Sequence, residues 1–290
     1  MSECGGTLRI VPLSDVNLHT LVDLFNDAYS QYYVEIKVTP ESLDALIRRE
    51  DVIPESSCVA LLGTMPAGVV FLGVRGERGY ICGMGVRQAL QGKGIGELLM
   101  REALRNAADL GLANVTLEVI DANFRAIRLY RKLGFVRLRD VGVFACEFSC
   151  DAGRVEGVSI AGARALEVLP LADKFNEMLP AWQNQPQSIA KMSRRLEALV
   201  AQSRGATVGY AVFGAAGDDM LLLDVAVSPR EGADRRKSIA AALVHSAWMH
   251  NNPSKGRAFN LPLGGYQEQA LIECGYEMTL KLQEMVVCLR

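Results

Sequence analysis

Between Val86 and Met100 the chain reads Val-Arg-Gln-Ala-Leu-Gln-Gly-Lys-Gly-Ile-Gly-Glu-Leu-Leu-Met, so Gly92, Gly94 and Gly96 alternate with Lys93 and Ile95 directly behind Gln91. Glycine lets successive main-chain N–H groups turn toward one point without a Cβ in the way. A helix that starts there adds the positive end of its macrodipole, and the combination suits a phosphate. Farther on stand three more residues able to do chemistry: Glu118, Asn123 and Tyr130. A carboxylate can take a proton, a phenol can give one, and an asparagine can cap a helix.

The elements that must position these groups are legible in the periodicity. An apolar strand, Tyr80 to Val86 and containing Met84-Gly85-Val86, leads into the glycines. Ile95, Leu98, Leu99, Ala103, Leu104 and Ala107 then mark one face of a helix. Val115 to Ile120 reads as a strand with Thr116, Glu118 and Ile120 on one face and Val115, Leu117 and Val119 on the other. A strand, helix, strand unit implies a parallel crossover covered on both faces. Glu118 is then a carboxylate in apolar surroundings, which needs a partner or a task; a structural ion pair and a catalytic role both remain open. Asn123 caps a helix from Phe124 to Leu133 closed by Gly134, with Tyr130 near the same side about 10 Å along and Arg125 among a solvated basic face.

Upstream, Thr7 to Leu13 is a strand and Asp15 caps a helix through Leu18, Leu21, Val22, Leu24, Phe25 and Tyr29. Tyr29, Tyr32 and Tyr33 at its end are either stacked core rings or the wall of an acceptor pocket. Thr39 caps a second helix with Pro40 in first position. Hairpin strands at Cys58 to Gly63 and Ala67 to Arg75 precede the Tyr80 strand, and Phe135 to Phe148 supplies the last strands of this half.

The glycine stretch is not a G-x-G-x-x-G fingerprint, because Glu97 stands where the third glycine would fall, nor does it match a P-loop. It does fit Gln-x-x-Gly-x-Gly at Gln91, Gly94 and Gly96, which resembles the acetyl-CoA loop of the GNAT N-acetyltransferases. Leu117-Glu118-Val119, Asn123-x-x-Ala126-Ile127-x-Leu129-Tyr130 and Gly134-Phe135 resemble the second signature block of that family, closest in wording to the ribosomal-protein N-terminal alanine acetyltransferases. The resemblance implies an acyltransferase that uses acetyl-CoA as donor and an amine acceptor, a small molecule or a peptide N-terminus. It implies cofactor contacts from Met84, Gly85, Val86, Gln91, Gly92, Lys93, Gly94, Ile95, Gly96, Asn123 and Tyr130. It also makes Glu118 the base and Tyr130 the acid, with main-chain N–H groups of Met84 to Val86 facing the oxyanion and Tyr29, Tyr33 and Tyr80 around the acceptor. A non-catalytic acyl-CoA sensor and an interaction scaffold stay open as alternatives.

The second half echoes the first. Val208-Gly209 stands 141 positions after Ala67-Gly68, Val227 the same distance after Val86, and Gly275 after Gly134. Where the first half has its glycines, the second has Arg235-Arg236-Lys237-Ser238-Ile239-Ala240 after an insertion. Leu271 replaces Tyr130 and Phe259 replaces Glu118. The expectation is an α/β fold of two tandem GNAT-like domains, each a central mixed sheet flanked by helices: 1-150 catalytic and 151-290 degenerate, with the boundary at Ser149 to Gly157. Mycothiol synthases also pair one active with one inert copy, but there the C-terminal copy works. Trp182-Gln183 reads as a buried anchor or a pocket residue.

Composition narrows the classes further. The 290 residues are half apolar, with 31 basic against 33 acidic side chains, so nothing argues for nucleic acid or an anionic membrane. No basic leader precedes an apolar run and no apolar run reaches membrane-spanning length. Seven cysteines form no C-x-x-C, and His245 and His250 miss the i, i+4 metal spacing, so no metal site is expected. A cytoplasmic monomer or homodimer is the expectation.

Overall fold

The computed structural model describes residues 6–147, 153–192 and 196–290. Contacts divide the chain into two compact units, one running to Leu138 and taking in Gln283–Arg290, the other Arg139–Leu282. The boundary expected at Ser149 to Gly157 falls partly outside the described residues, at 149–152, as does the expected strand end at Phe148. The division falls inside a strand because the chain leaves unit 1 within one strand and returns within another.

Unit 1 opens with β1 (Leu8–Pro12), α1 (Leu18–Ala28) and α2 (Pro40–Arg49), followed by β2 (Cys58–Leu62), β3 (Met65–Arg75) and β4 (Arg78–Val86). Then come α3 (Ile95–Asp109), β5 (Asn114–Ile120), α4 (Phe124–Lys132) and the start of β6 (Val136–Cys146). Asn17, not Asp15, caps α1: its side chain accepts from the Thr20 N–H at 2.9 Å, while Leu13–Asp15 forms a short 3₁₀ turn. Thr39 and Ser42 form the reciprocal capping box of α2, with Pro40 in its first turn as expected. Asn123 caps α4 through the Ala126 N–H at 3.1 Å, and Gly134 ends it at φ +91°.

Unit 2 holds the rest of β6, then β7 (Ser159–Arg164), the short helices α5 (Ala165–Val168), α6 (Ala172–Phe175) and α7 (Pro186–Met192), and β8 (Leu196–Ser203). It continues through β9 (Ala206–Ala216), β10 (Asp219–Val227), α8 (Ala233–Asn251), β11 (Lys255–Pro262), α9 (Tyr266–Glu273) and β12 (Glu277–Cys288). Trp182 is a buried anchor, 2% exposed, whose carbonyl accepts from the Ser188 hydroxyl. No helix among the described residues is long and apolar enough to cross a membrane.

Both units are mixed sheets flanked by helices, and their registers repeat. In unit 1, β4 pairs β5 in parallel with Tyr80 opposite Thr116. In unit 2, β10 pairs β11 with Leu221 opposite Arg257, each 141 positions later. The β3–β4 ladder slips between Phe71 and Leu72, leaving Cys82 as the extra residue. The β9–β10 ladder slips at the equivalent place, leaving Leu223.

Each sheet borrows a strand across the sequence halves. The strand beside β5 in unit 1 is the end of β12, and the strand beside β11 in unit 2 is β6. Met285 (fully buried) and Val287 therefore lie in the core that holds Val119, Tyr130 and Phe135. In unit 2, β10 carries a buried carboxylate, Asp224, at the position of Gly83. It accepts from the Tyr210 hydroxyl at 2.6 Å and from the Asn176 amide at 3.2 Å. Burial pushes its pKa up to about 6, and those two hydrogen bonds pull partly the other way.

Two outcomes are expected. Met285→Ala empties a site in a core built almost wholly from the first half of the sequence, so urea unfolding registers a loss of about 2–5 kcal/mol in unit 1. Asp224 holds its proton more tightly folded than unfolded, so its contribution to stability is full near its ordinary pKa of 3.8 and is lost as pH rises toward about 6. Asp224→Asn keeps both accepted hydrogen bonds and abolishes that slope, and at pH 7 its stability exceeds the parent's by roughly 2–3 kcal/mol in the same experiment.

Candidate functional site

The site begins where two strands stop pairing. β4 is bonded to β5 only over Arg78–Tyr80, opposite Asn114–Thr116. The bulge at Cys82 turns β4 away, and from Gly83 to Val86 it pairs with β3. A cavity of about 600 Å³ lies in unit 1 at this opening. Its lining includes Gly83 to Val86 of β4, the glycine turn, Leu117 to Val119 of β5, the tyrosines after α1, and Asn123 and Tyr130 of α4.

At the glycine end, Gly92 and Gly94 have φ of +82° and +83°, left-handed values that a β-branched residue resists. Gly94 is the N-cap of α3 and has open space where a Cβ would stand, so a ligand can approach its main chain. A Cβ on Gly96 would meet the Met84 Cε at 3.6 Å. Gln91 donates to the Val86 carbonyl at 3.2 Å, tying turn to strand, and accepts from Arg125 at 3.2 Å. Arg125 therefore leans over the turn and lines the cavity, a cation that sequence reasoning left on a solvated face. Its nearness to Asn123 was the one available signal. Lys93 is exposed and does not line the cavity. Glu97 does, but its carboxylate is occupied by Lys132 at 2.7 Å and Arg101 at 2.8 Å, which lower its pKa.

At the other end, Tyr80 donates a short hydrogen bond to Glu118 Oε2. Burial first, and then the charge of Glu118, push the Tyr80 pKa well up, so the phenol stays a neutral donor that holds the carboxylate against the cavity. Glu118 thus has a phenol where sequence left an ion pair open. Tyr130 is 7% exposed, with its ring centroid 5.8 Å from that of Phe135. Its hydroxyl meets no protein partner among the described residues. Burial, and then Tyr32, raise its pKa, so it remains protonated.

Tyr29 and Tyr33 line the same cavity. The Tyr29 hydroxyl stands on the Met84 main chain, 3.1 Å from its oxygen and 3.3 Å from its nitrogen. Tyr33 donates to the Ala122 carbonyl at 3.1 Å and is 54% exposed. Burial raises the Tyr32 pKa and the nearby Asn123 side chain pulls it partly the other way, a proximity that spacing did not suggest. The tyrosine segment thus reaches from β4 to the start of α4.

The corresponding stretch of unit 2 is built differently. α8 starts at Ala233, so Arg235 to Ala240 lie inside a helix rather than in a turn; without glycines the helix simply begins earlier. The Tyr266 hydroxyl accepts from the Val227 N–H at 3.0 Å, with Arg236 stacked 4.1 Å over its ring and held by Glu177 at 2.9 Å. Leu271 is fully buried and Phe259 is 37% exposed.

Residues 18–135 match the Acetyltransferase (GNAT) family. A mycothiol acetyltransferase of Parafrankia sp. (strain EAN1pec) is 37% identical over 91 residues, 31% of this chain and 26% of that protein, so the match spans about a quarter of the relative. A GCN5-related N-acetyltransferase from Sphaerobacter thermophilus superposes with a TM-score of 0.74 at 15% identity, covering 98% of this chain and 96% of that one. A tandem GNAT protein from the clavulanic acid biosynthesis pathway does so with a TM-score of 0.68 at 14% identity, covering 98% and 99%. Those likenesses establish the fold, and the sequence match places the glycine turn, Glu118, Asn123 and Tyr130 inside the family's own segment. Residues 18–135 thus match the GNAT acetyltransferase family, and the chain as a whole has the fold of a tandem GNAT protein.

Proposed function

We propose that unit 1 is an N-acetyltransferase that moves an acetyl group from acetyl-CoA to a primary amine by direct attack, and that unit 2 does not catalyse. The observation that carries this reading is the opening between β4 and β5, with the glycine turn at one end and Glu118 and Tyr130 toward the other. Gly92 to Gly96 and the start of α3 offer N–H groups to a pyrophosphate, and Arg125 adds a counter-charge. Main-chain groups of β4 that β5 no longer pairs bond an extended ligand arm where Tyr29 and Gln91 yield Met84 and Val86 to it.

Acetyl-CoA supplies the acyl group as a thioester. An alkylamine with a pKa near 10.4 must lose a proton before it attacks, and Glu118, oriented by Tyr80, accepts it directly or through water. The Met84 N–H is placed to stabilise the negative charge that develops on the acyl oxygen. As the new C–N bond forms and the C–S bond breaks, Tyr130 gives its proton to the departing thiolate. The acceptor is a small molecule or a peptide N-terminus. Buried thiols at Cys58, Cys146 and Cys274 suit a reducing compartment such as the cytoplasm.

Titration with acetyl-CoA, followed by an assay of thiol release with amines, tests the reading. One mole bound per chain with amine-dependent release is expected; binding without release makes unit 1 a sensor, and two moles overturn the inert second unit. Gly94→Val, which places a branched side chain at a left-handed position in the glycine turn, weakens acetyl-CoA binding by about tenfold or more in calorimetry. Tyr130→Phe keeps the ring but lacks the proton. Its kcat falls by about 10²- to 10⁴-fold while acetyl-CoA affinity moves little. An unchanged single-turnover rate would leave water as the proton source.

A further inference from the structure

Tyr29 lines the cavity and is held on the main chain of β4. Its hydroxyl meets both polar groups of one residue of β4, donating to the Met84 carbonyl at 3.1 Å and accepting from the Met84 N–H at 3.3 Å. Those two groups face the gap that β5 has vacated, because the β4–β5 ladder ends at Tyr80. A main-chain pair left unbonded in a half-buried cleft is costly, and Tyr29 satisfies both members at once.

The approach is built into the neighbouring residues. Phe25 stacks on the Tyr29 ring with centroids 4.4 Å apart, and Tyr32 meets it edge-on at 5.0 Å. The glycine at position 85 makes room: a Cβ there would stand 2.7 Å from the Ala28 Cβ and 3.2 Å from the Tyr29 Cε2. Burial, followed by Tyr32, raises the Tyr29 pKa, so the hydroxyl keeps the proton it donates.

We propose that the Tyr29 hydroxyl occupies the place of the acyl oxygen when no acyl group is bound, and yields the Met84 N–H to a thioester carbonyl, so that it sets how acetyl-CoA and CoA compete for the cleft. This rests on the acetyl-CoA reading of unit 1. A carbonyl oxygen is a good acceptor and can displace a phenol from an N–H. The thiol of free CoA is a weak acceptor and cannot. Tyr29 therefore weakens the hold on the acylated donor. Once the acetyl group has left, it returns to Met84, a place the CoA thiol does not contest.

The test is calorimetry with acetyl-CoA and with CoA on the full chain and on Tyr29→Phe, which keeps the ring and its stacking. Removing the competing hydroxyl raises affinity for acetyl-CoA by about fivefold, the equivalent of one net hydrogen bond of about 1 kcal/mol, and leaves CoA affinity unchanged. An unchanged ratio of the two affinities overturns the inference and spares the acetyl-CoA reading. A ratio that falls overturns it too, since the hydroxyl then donates to the acyl oxygen. Failure of the unmodified chain to bind either molecule overturns both readings. Crystal structures of the unmodified chain with each molecule decide independently of the variant's folding. Tyr29 leaves the Met84 nitrogen in the acetyl-CoA complex and stays on it in the CoA complex; a Tyr29 still bonded to Met84 beside a bound acetyl group refutes the assignment.

Discussion

Everything in unit 1 depends on β4 ceasing to pair with β5 after Tyr80. A sheet whose ladder continued would have its polar main chain satisfied and no room between its strands. One extra residue, Cys82, bends β4 at that point, and the main chain beyond it must find other partners. Gln91 answers for the Val86 carbonyl and Tyr29 for both groups of Met84. The cavity, the glycine turn at one end and the carboxylate toward the other are consequences of that one bend.

Unit 2 shows what the same scaffold becomes when its side chains change. The bulge recurs at Leu223, with the register of its neighbours shifted by 141 positions, so the tendency to open is retained. Tyr266 takes the Val227 N–H, and a buried carboxylate, Asp224, sits where unit 1 has Gly83. Arg236, from a helix that runs through the stretch where unit 1 has its turn, stacks on Tyr266 and is itself held by Glu177. A ligand entering there must replace the bond that Tyr266 makes and move the Arg236 that stacks on it.

The electrostatics of the opening in unit 1 come from burial more than from ion pairs. Tyr29, Tyr80 and Tyr130 all have raised pKa values with burial as the first cause, which keeps three phenols neutral around one carboxylate. Neutral phenols can donate without repelling either Glu118 or an anionic donor. The formal charges gather at the glycine end, where Arg125 leans over the turn and Lys132 and Arg101 neutralise Glu97.

The sequence by itself determined what local spacing can carry. The glycine turn, the capping of α2 and α4 by Thr39 and Asn123, and the alternation that separates Glu118 from Leu117 and Val119 all depend on neighbours a few residues away. So does the echo at 141 positions, because a duplicated chain keeps its own spacing. Asp15 was misread as the cap of α1 for the same reason: Asn17 is as good a cap two residues on, and the 3₁₀ turn before it has no periodic signal. Only the tertiary structure decided which distant groups meet. Tyr29 and Met84 are 55 positions apart, Tyr80 and Glu118 are 38 apart, and Gln91 and Arg125 are 34 apart. The end of β12 enters a core made by the first half, so the division between units falls after Leu138. Pairing of strands and meeting of side chains across a cleft are set by how the sheet bends, and no window along the chain contains both partners.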